Sequence, residues 1–101
     1  MTTKEKIINK AFKAVGERND HYGTPLENFE RIAKLWSCHL EHHISVYDVG
    51  VMLMLLKIAR SKHDSLHEDT WIDIAGYAGA TAEATFLDEE IKKEMKEYGM
   101  D

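Results

Sequence analysis

The apolar residues of this chain recur at helical intervals, and no segment alternates between apolar and polar residues as a strand does. Ile7, Ile8, Ala11, Phe12 and Val15 fall on one side of a helix. The chain has a single proline and no Asn-Gly or Asp-Gly pair, so hairpin signals are missing. We therefore expect an all-α fold, with residues 1–101 forming one domain of four or five bundled helices.

Two of the expected helices lie in the first half of the chain. The first spans about residues 3–15 and ends at Gly16, because glycine weakens a helix interior. The polar residues that follow indicate a loop. Thr24, Pro25 and Glu27 then form a helix-start signal of the capping-box type. The second helix runs from there to about residue 41.

Capping signals also open the second half of the chain. Ser45 with Asp48 predicts a third helix that reaches about residue 62, and Ser65 with Glu68 predicts a fourth through residue 90. The fourth helix can extend to residue 98, with a bend near residues 85–88. Because the third helix is apolar nearly all round, we expect a partner chain to cover part of the bundle.

The composition excludes several classes of protein. The net charge of −5 disfavours direct binding to nucleic acid or to an anionic membrane. Cys38 is the only cysteine, which excludes an internal disulfide and suits a reducing compartment such as the cytoplasm. The longest uncharged apolar run, residues 49–56, is too short to span a bilayer.

An acidic pair on the fourth helix is the strongest functional signal. Asp69 and Asp73 are one turn apart, and no Lys or Arg occurs between Lys62 and Lys92. Two carboxylates at this spacing repel each other, so they need a cation from elsewhere. That cation is either a basic side chain across the bundle or a divalent metal, Mg²⁺ or Mn²⁺. Asp48 is a further candidate ligand, although capping is its simpler role.

A basic pair ends the third helix, close along the chain to the acidic pair. Lys57 and Arg60 are three residues apart, and an antiparallel hairpin would bring them near Asp69 and Asp73. They are favourable charges at a helix C-terminus, or partners that neutralise the acids of the fourth helix, or ligands for phosphate. An acidic pair, a basic pair and a metal ion together are suited to the hydrolysis of a phosphoanhydride bond. His67 is placed either to move a proton or to cap the fourth helix.

Histidines and one amide give further candidates. His39, His42 and His43 with Cys38 suggest zinc, but one more ligand of fixed geometry would be needed. Asn28 falls on the apolar side of the second helix, where an amide is either a structural hydrogen-bonding group or a ligand contact. Tyr22, Trp36 and Tyr77 are candidates, with Asn28, for contacts to a base or sugar.

Three segments carry a resemblance to a known group of proteins: NDHYGTPLENFERIAKLW, YDVGVMLMLLKIAR and HEDTWIDIAGYAG. Together they resemble small phage and prophage proteins of unassigned function, a group similar to the MazG-like all-α nucleoside triphosphate pyrophosphohydrolases. The resemblance covers roughly residues 17–83. It implies a metal role for Asp69 and Asp73, because the acidic helix of MazG-like enzymes holds Mg²⁺, and it implies assembly as dimers or tetramers.

One part of the resemblance disagrees with the helical pattern. Glu27 and Glu30 match the Glu-x-x-Glu motif of MazG-like enzymes, yet both fall on the outer side of the second helix while Asn28 points inward. The resemblance implies a set of four carboxylates, from the Glu-x-x-Glu motif and the acidic pair of the fourth helix. In this chain the set is therefore incomplete, or is completed by Asp48 or by a second subunit.

Three functional hypotheses follow. The first is a Mg²⁺-dependent enzyme that cleaves a nucleoside triphosphate to the monophosphate and pyrophosphate. The second is a non-catalytic, acidic helical accessory protein of a phage that binds a host protein. The third is an HD-type metal phosphohydrolase, suggested by the His63–Asp64 doublet, although the chain is short for that fold.

Overall fold

The computed structural model describes residues 1–99, and within this range the chain is all-helical. Helix α1 spans Thr3–Tyr22, α2 Pro25–Leu40, α3 Val46–Ser61 and α4 Glu68–Glu97. The all-α prediction is confirmed, with four helices in the described residues. None of these helices is both long enough and apolar enough to cross a membrane.

The second and third helices begin where the sequence predicts. The Thr24 hydroxyl accepts a hydrogen bond from the Glu27 N–H, and Pro25 occupies the first turn of α2. Ser45 and Asp48 form a reciprocal capping box at the start of α3. These local bonds satisfy N–H groups that a helix leaves unpaired at its first turn.

The prediction that α1 ends at Gly16 is wrong. The helix continues for another six residues and ends before Gly23, which has a φ of +84°. Positions 11, 15, 18 and 22 keep helical spacing, so the inward side of α1 extends through Arg18 to Tyr22. The tertiary contacts of Arg18, described below, hold these turns against α4 despite the glycine.

The start of α4 also differs from the prediction. The helix begins at Glu68 with His67 as its N-cap residue, and the His67 side chain forms no capping hydrogen bond. Asp64 instead makes a local turn, because its Oδ1 accepts from the Leu66 N–H at 3.1 Å. This turn delays the helix past Ser65. From Glu68 onward, α4 is continuous through the region where the sequence predicts a bend.

Helix α4 packs against all three other helices and defines the long axis of the molecule. The molecule measures 50 × 30 × 21 Å, and a 30-residue helix is about 45 Å long. The buried core lies where α2, α3 and α4 meet, and consists of Phe29, Ala33, Val46, Val49 and Ala84. Helices α3 and α4 form the antiparallel hairpin that carries the candidate site.

Glycine allows α3 and α4 to approach closely. A Cβ atom at Gly50 would overlap the Thr81 side chain, so no larger residue fits there without movement. This contact fixes the spacing of the two helices in the buried part of the hairpin. At the connected end of the hairpin, where α3 ends and α4 begins, the two helices and their connection border a cleft.

Candidate functional site

The end of α3, the connection after it and the start of α4 surround one pocket, which we call the α3–α4 pocket. Its cavity volume is about 360 Å³. The hairpin brings together both charged pairs identified in the sequence, together with the histidines of the connection. The pocket is lined by Lys57, Arg60, His63, Asp64, His67, Asp69, Thr70 and Asp73.

Asp73 is the best-connected residue of this pocket. Lys57 Nζ lies 2.8 Å from Asp73 Oδ2, and Arg18 Nη2 donates to Asp73 Oδ1 at 3.1 Å. The Asp73 side chain is 22% exposed and the Lys57 side chain 18% exposed, so this contact is largely shielded from water. The cation that Asp73 requires is therefore supplied by two basic side chains of the chain itself.

Asp69 and Arg60 have a different environment from Asp73. Both are exposed and both line the pocket, and neither takes part in the ion pairs found among residues 1–99. They are accordingly accessible to a ligand of the appropriate charge. The two carboxylates of the acidic pair therefore differ. Asp73 is paired with basic side chains of the protein, and Asp69 is exposed in the pocket.

Arg18 is a site residue that the sequence pattern did not identify. A helix that ends at Gly16 leaves Arg18 in the following loop, where no contact with α4 is expected. Its guanidinium lies 5.0 Å from the centre of the Tyr77 ring and also contacts Asp73. The 4-3-4 spacing of Ala11, Val15, Arg18 and Tyr22 is the signal that could have identified it.

A second, smaller pocket lies between α1, α2 and α4, and we call it the α1–α2–α4 pocket. Asn28, Tyr22 and Tyr77 all line it, together with Arg18 and Phe29. Its cavity volume is about 50 Å³. The inward position predicted for Asn28 thus agrees with the structure, and three of the four residues suggested as base or sugar contacts share this pocket.

Two predicted site residues lie elsewhere. Trp36 is partly buried against the core and lines neither pocket. Asp48 lies at the opposite end of α3 from Lys57, where its Oδ2 accepts from the Ser45 N–H at 3.0 Å. This hydrogen bond holds the pKa of Asp48 below the usual 3.8. Its role is to cap α3.

The donor groups for a metal are sparse in this part of the chain. Across residues 1–99, no three His, Cys, Asp or Glu side chains form a group that could hold a metal ion. The zinc hypothesis for Cys38, His39, His42 and His43 therefore lacks a ligand set. Glu27 is exposed and bonds to Thr24, consistent with its place on the outer side of α2. Any ion in the α3–α4 pocket would need ligands beyond the protein.

Comparison with known proteins identifies relatives in two mycobacteriophages. The chain is 49% identical to the Gene 55 protein of Mycobacterium phage D29 over 76 residues, which is 74% of this chain and 50% of that protein. It is 43% identical to the Gene 55 protein of Mycobacterium phage L5 over 91 residues, or 89% of this chain and 54% of that protein. The chain spans about half the length of these curated relatives.

No solved structure matches the chain. The family match involves neither the MazG-like enzymes nor any other named enzyme class. Residues 6–85 match a family described as a domain of unknown function, DUF6378, and this range contains every residue of the α3–α4 pocket. The chain therefore belongs to the DUF6378 family.

Proposed function

We propose that the chain is a Mg²⁺-dependent nucleoside triphosphate pyrophosphohydrolase of the MazG-like kind, which converts a (d)NTP to the (d)NMP and pyrophosphate. One observation carries the proposal: Lys57 and Arg60 line the same pocket as Asp69 and Asp73. Cationic groups for phosphate and a free carboxylate for a metal are both required by this chemistry.

The carboxylates fit a metal that arrives with its nucleotide. Mg²⁺ is usually held by one or two carboxylates together with substrate phosphates, rather than by a cage made only of protein. Asp69 and the nearby Asp64 would supply the protein ligands. Asp73 contributes through Lys57, because the ion pair at 2.8 Å positions that ammonium group at the wall of the pocket.

The basic groups have separate tasks in this proposal. When bound, the metal polarises phosphate and favours the ionisation of water. Lys57 and Arg60 neutralise negative charge on the phosphate groups of the bound nucleotide. His67 and His63 line the same pocket, and an imidazole at this position is a candidate general acid or base for the proposed reaction.

Ligand binding and turnover can be tested together. We expect Mg²⁺ plus a nucleoside triphosphate to raise the melting temperature, since a ligand at about 100 times its Kd adds about 2.7 kcal/mol to the stability. Pyrophosphate release should accompany binding. Lys57→Met should weaken nucleotide affinity roughly tenfold to a hundredfold, because it removes a charged hydrogen-bond donor.

Matched variants separate the site from general charge effects. Asp69→Asn should reduce Mg²⁺-dependent binding, whereas Glu90→Gln removes the same charge from an exposed part of α4 and should not. Lys13→Met is the corresponding control for Lys57→Met. Unchanged nucleotide affinity in both pocket variants, with the helical content intact, would exclude the α3–α4 pocket as the binding site.

A second candidate function is an accessory protein that binds another protein. Large apolar side chains remain exposed on the described surface, among them Phe12 at 81% and Phe86 at 70%. Such surface is typical of protein contact sites. Absence of any nucleotide-induced stabilisation or pyrophosphate release would favour this candidate.

We also propose that the chain self-associates as a dimer or tetramer. Ile8 and Phe12 border an open groove between α1 and α4, whose floor is formed by small residues such as Ala75 and Gly79. Only Glu83 brings a charge to this groove. A second copy of the chain would remove these apolar groups from water.

A further inference from the structure

Arg18 stands between the two pockets of the structure. Its guanidinium donates to Asp73, which lines the α3–α4 pocket, and it also covers the ring of Tyr77, which lines the α1–α2–α4 pocket. Asp73 and Tyr77 are one helical turn apart on α4. The side chain of Arg18 therefore lies between the α3–α4 pocket and the α1–α2–α4 pocket.

The α1–α2–α4 pocket has the chemistry of an aromatic-ring site but lacks the room. Tyr22, Phe29 and Tyr77 provide aromatic surface, and Asn28 provides an amide. Small-molecule sites typically combine an apolar lining with a few polar groups in this way, but their volume is about 300–1,000 Å³. The present volume of about 50 Å³ admits a few water molecules and no planar base.

The guanidinium of Arg18 occupies the place that such a ring would use. A guanidinium is planar and stacks on aromatic faces, as a base does. Its side chain is 38% exposed, so it can turn outward without unfolding α1. Asp73 keeps its contact with Lys57 when Arg18 leaves, so no carboxylate is left without a cation.

We infer that the α1–α2–α4 pocket is a subsite for an aromatic base, closed by Arg18 in this structure. A base that stacks on Tyr77 displaces the guanidinium, which joins the two pockets and frees Arg18 to contact phosphate. The inference rests on the proposed function for the nucleotide as a whole. The base subsite can nevertheless be tested alone, with nucleosides that carry no phosphate.

Calorimetric titration with the uncharged nucleosides adenosine, guanosine, cytidine, uridine and thymidine provides the test. Arg18→Ala should bind at least one of them roughly tenfold more tightly than the wild type, because the ring no longer competes with the guanidinium. Arg18→Lys keeps a charge for Asp73 but removes the planar group, so a smaller gain is expected. Tyr77→Ala should abolish the binding seen in Arg18→Ala.

The controls make each outcome decisive. Arg31→Ala removes an exposed arginine from α2 and should leave nucleoside affinity unchanged. Equal or weaker nucleoside binding in Arg18→Ala than in the wild type would overturn the inference, and no detectable binding in either would do the same. If Arg18→Ala does not fold, as judged by circular dichroism, the comparison of Arg18→Lys with the wild type decides the question.

Inorganic triphosphate with Mg²⁺ tests the other half of the site independently. Its binding should depend on Lys57 and be unaffected by Tyr77→Ala. A response of nucleosides to Arg18→Ala, without any binding of triphosphate, supports the base subsite and removes the proposed hydrolase function. The reverse result leaves the phosphate site in place and overturns the subsite.

Discussion

At the residue scale, Asp73 joins three helices through one carboxylate. It belongs to α4, and its two oxygens bind Arg18 of α1 and Lys57 of α3. A half-buried carboxylate with two cationic partners stabilises the arrangement of those partners, because removing it would leave two positive charges close together. Asp73 therefore lines the α3–α4 pocket and also holds Arg18, a residue of the α1–α2–α4 pocket.

Asp48 illustrates a carboxylate with a purely local role, and its titration can be followed. The Ser45 N–H and hydroxyl groups keep its folded-state pKa below 3.8, so its ionised form stabilises the folded state above that value. This stability is lost as the pH falls through the lower, folded-state pKa. We expect Asp48→Asn, which retains an acceptor oxygen but does not titrate, to lose less stability than the wild type in that range.

Urea unfolding at a series of pH values checks this prediction. The two proteins should show parallel stability from neutral pH down to about 3.8 and diverge only below it. Curves that stay parallel throughout the acid range would mean that the capping bond does not depend on the charge of Asp48.

The sequence predicted most of the α3–α4 pocket at this scale, because the relevant residues are close along the chain. Lys57 and Asp73 are joined by one short connection, so helical spacing alone brings them together. Arg18 could not be placed in this way, since its contact with Asp73 spans 55 positions and depends on how α1 packs. Helical spacing could not decide the role of Trp36, because an aromatic ring at such a position fits a core as well as a ligand contact, and in the structure Trp36 packs against the core.

At the scale of elements, the two helical glycines Gly16 and Gly50 differ in whether a side chain would fit in their place. At Gly16, in the interior of α1, a Cβ would meet nothing within 4 Å beyond the neighbouring residues and backbone of its own helix, whereas a Cβ at Gly50 would overlap Thr81. Local propensity alone treats both glycines as helix-weakening residues. Packing decides which of them the fold needs.

We expect Gly16→Ala to stabilise the protein by about 0.5–1 kcal/mol, because alanine loses less backbone entropy in a helix and has free space here. The midpoint of urea unfolding measures the effect. Gly50→Ala is the matched control, and the clash with Thr81 should make it destabilising by about 1–3 kcal/mol. A destabilising Gly16→Ala would show that α1 does not continue through residue 16 in solution.

The helix starts at residues 24–25 and 45–46 were predictable because capping is a local interaction. The end of α1 and the start of α4 were not. In the first case tertiary contacts of Arg18 outweigh the weakness of glycine, and in the second a turn at Asp64 competes with the capping signal of Ser65.

At the scale of the whole molecule, an elongated bundle with a thin core leaves much apolar surface uncovered. Among the described residues, the buried apolar side chains larger than alanine are Phe29, Val46, Val49 and Ile72. The apolar sequence of α3 predicted uncovered apolar surface, and Met52, Leu55, Leu56 and Ile58 of this helix are exposed. The groove between α1 and α4 is a separate apolar part of the surface. Sequence alone does not indicate which part of such a surface another molecule covers, since that depends on shape.

Self-association gives a prediction at this scale. Phe12→Asp should shift the protein toward the monomer, because it places a charge beside the apolar groove. Thr3→Asp adds the same charge at the start of α1, where a helix favours it, and should leave the assembly unchanged. Sedimentation velocity at several concentrations measures both. A monomeric wild type at all concentrations would contradict the proposed assembly.

Trp71, near the start of α4, is a tryptophan that contacts the connection between α3 and α4. The indole N–H of Trp71 donates to the Ser65 carbonyl at 2.8 Å, and its ring is 42% exposed, whereas the other tryptophan, Trp36, packs against the core. The red-shifted part of the intrinsic emission therefore originates at the turn that borders the cleft. Fluorescence of the unlabelled protein reports on that turn separately from the rest of the bundle.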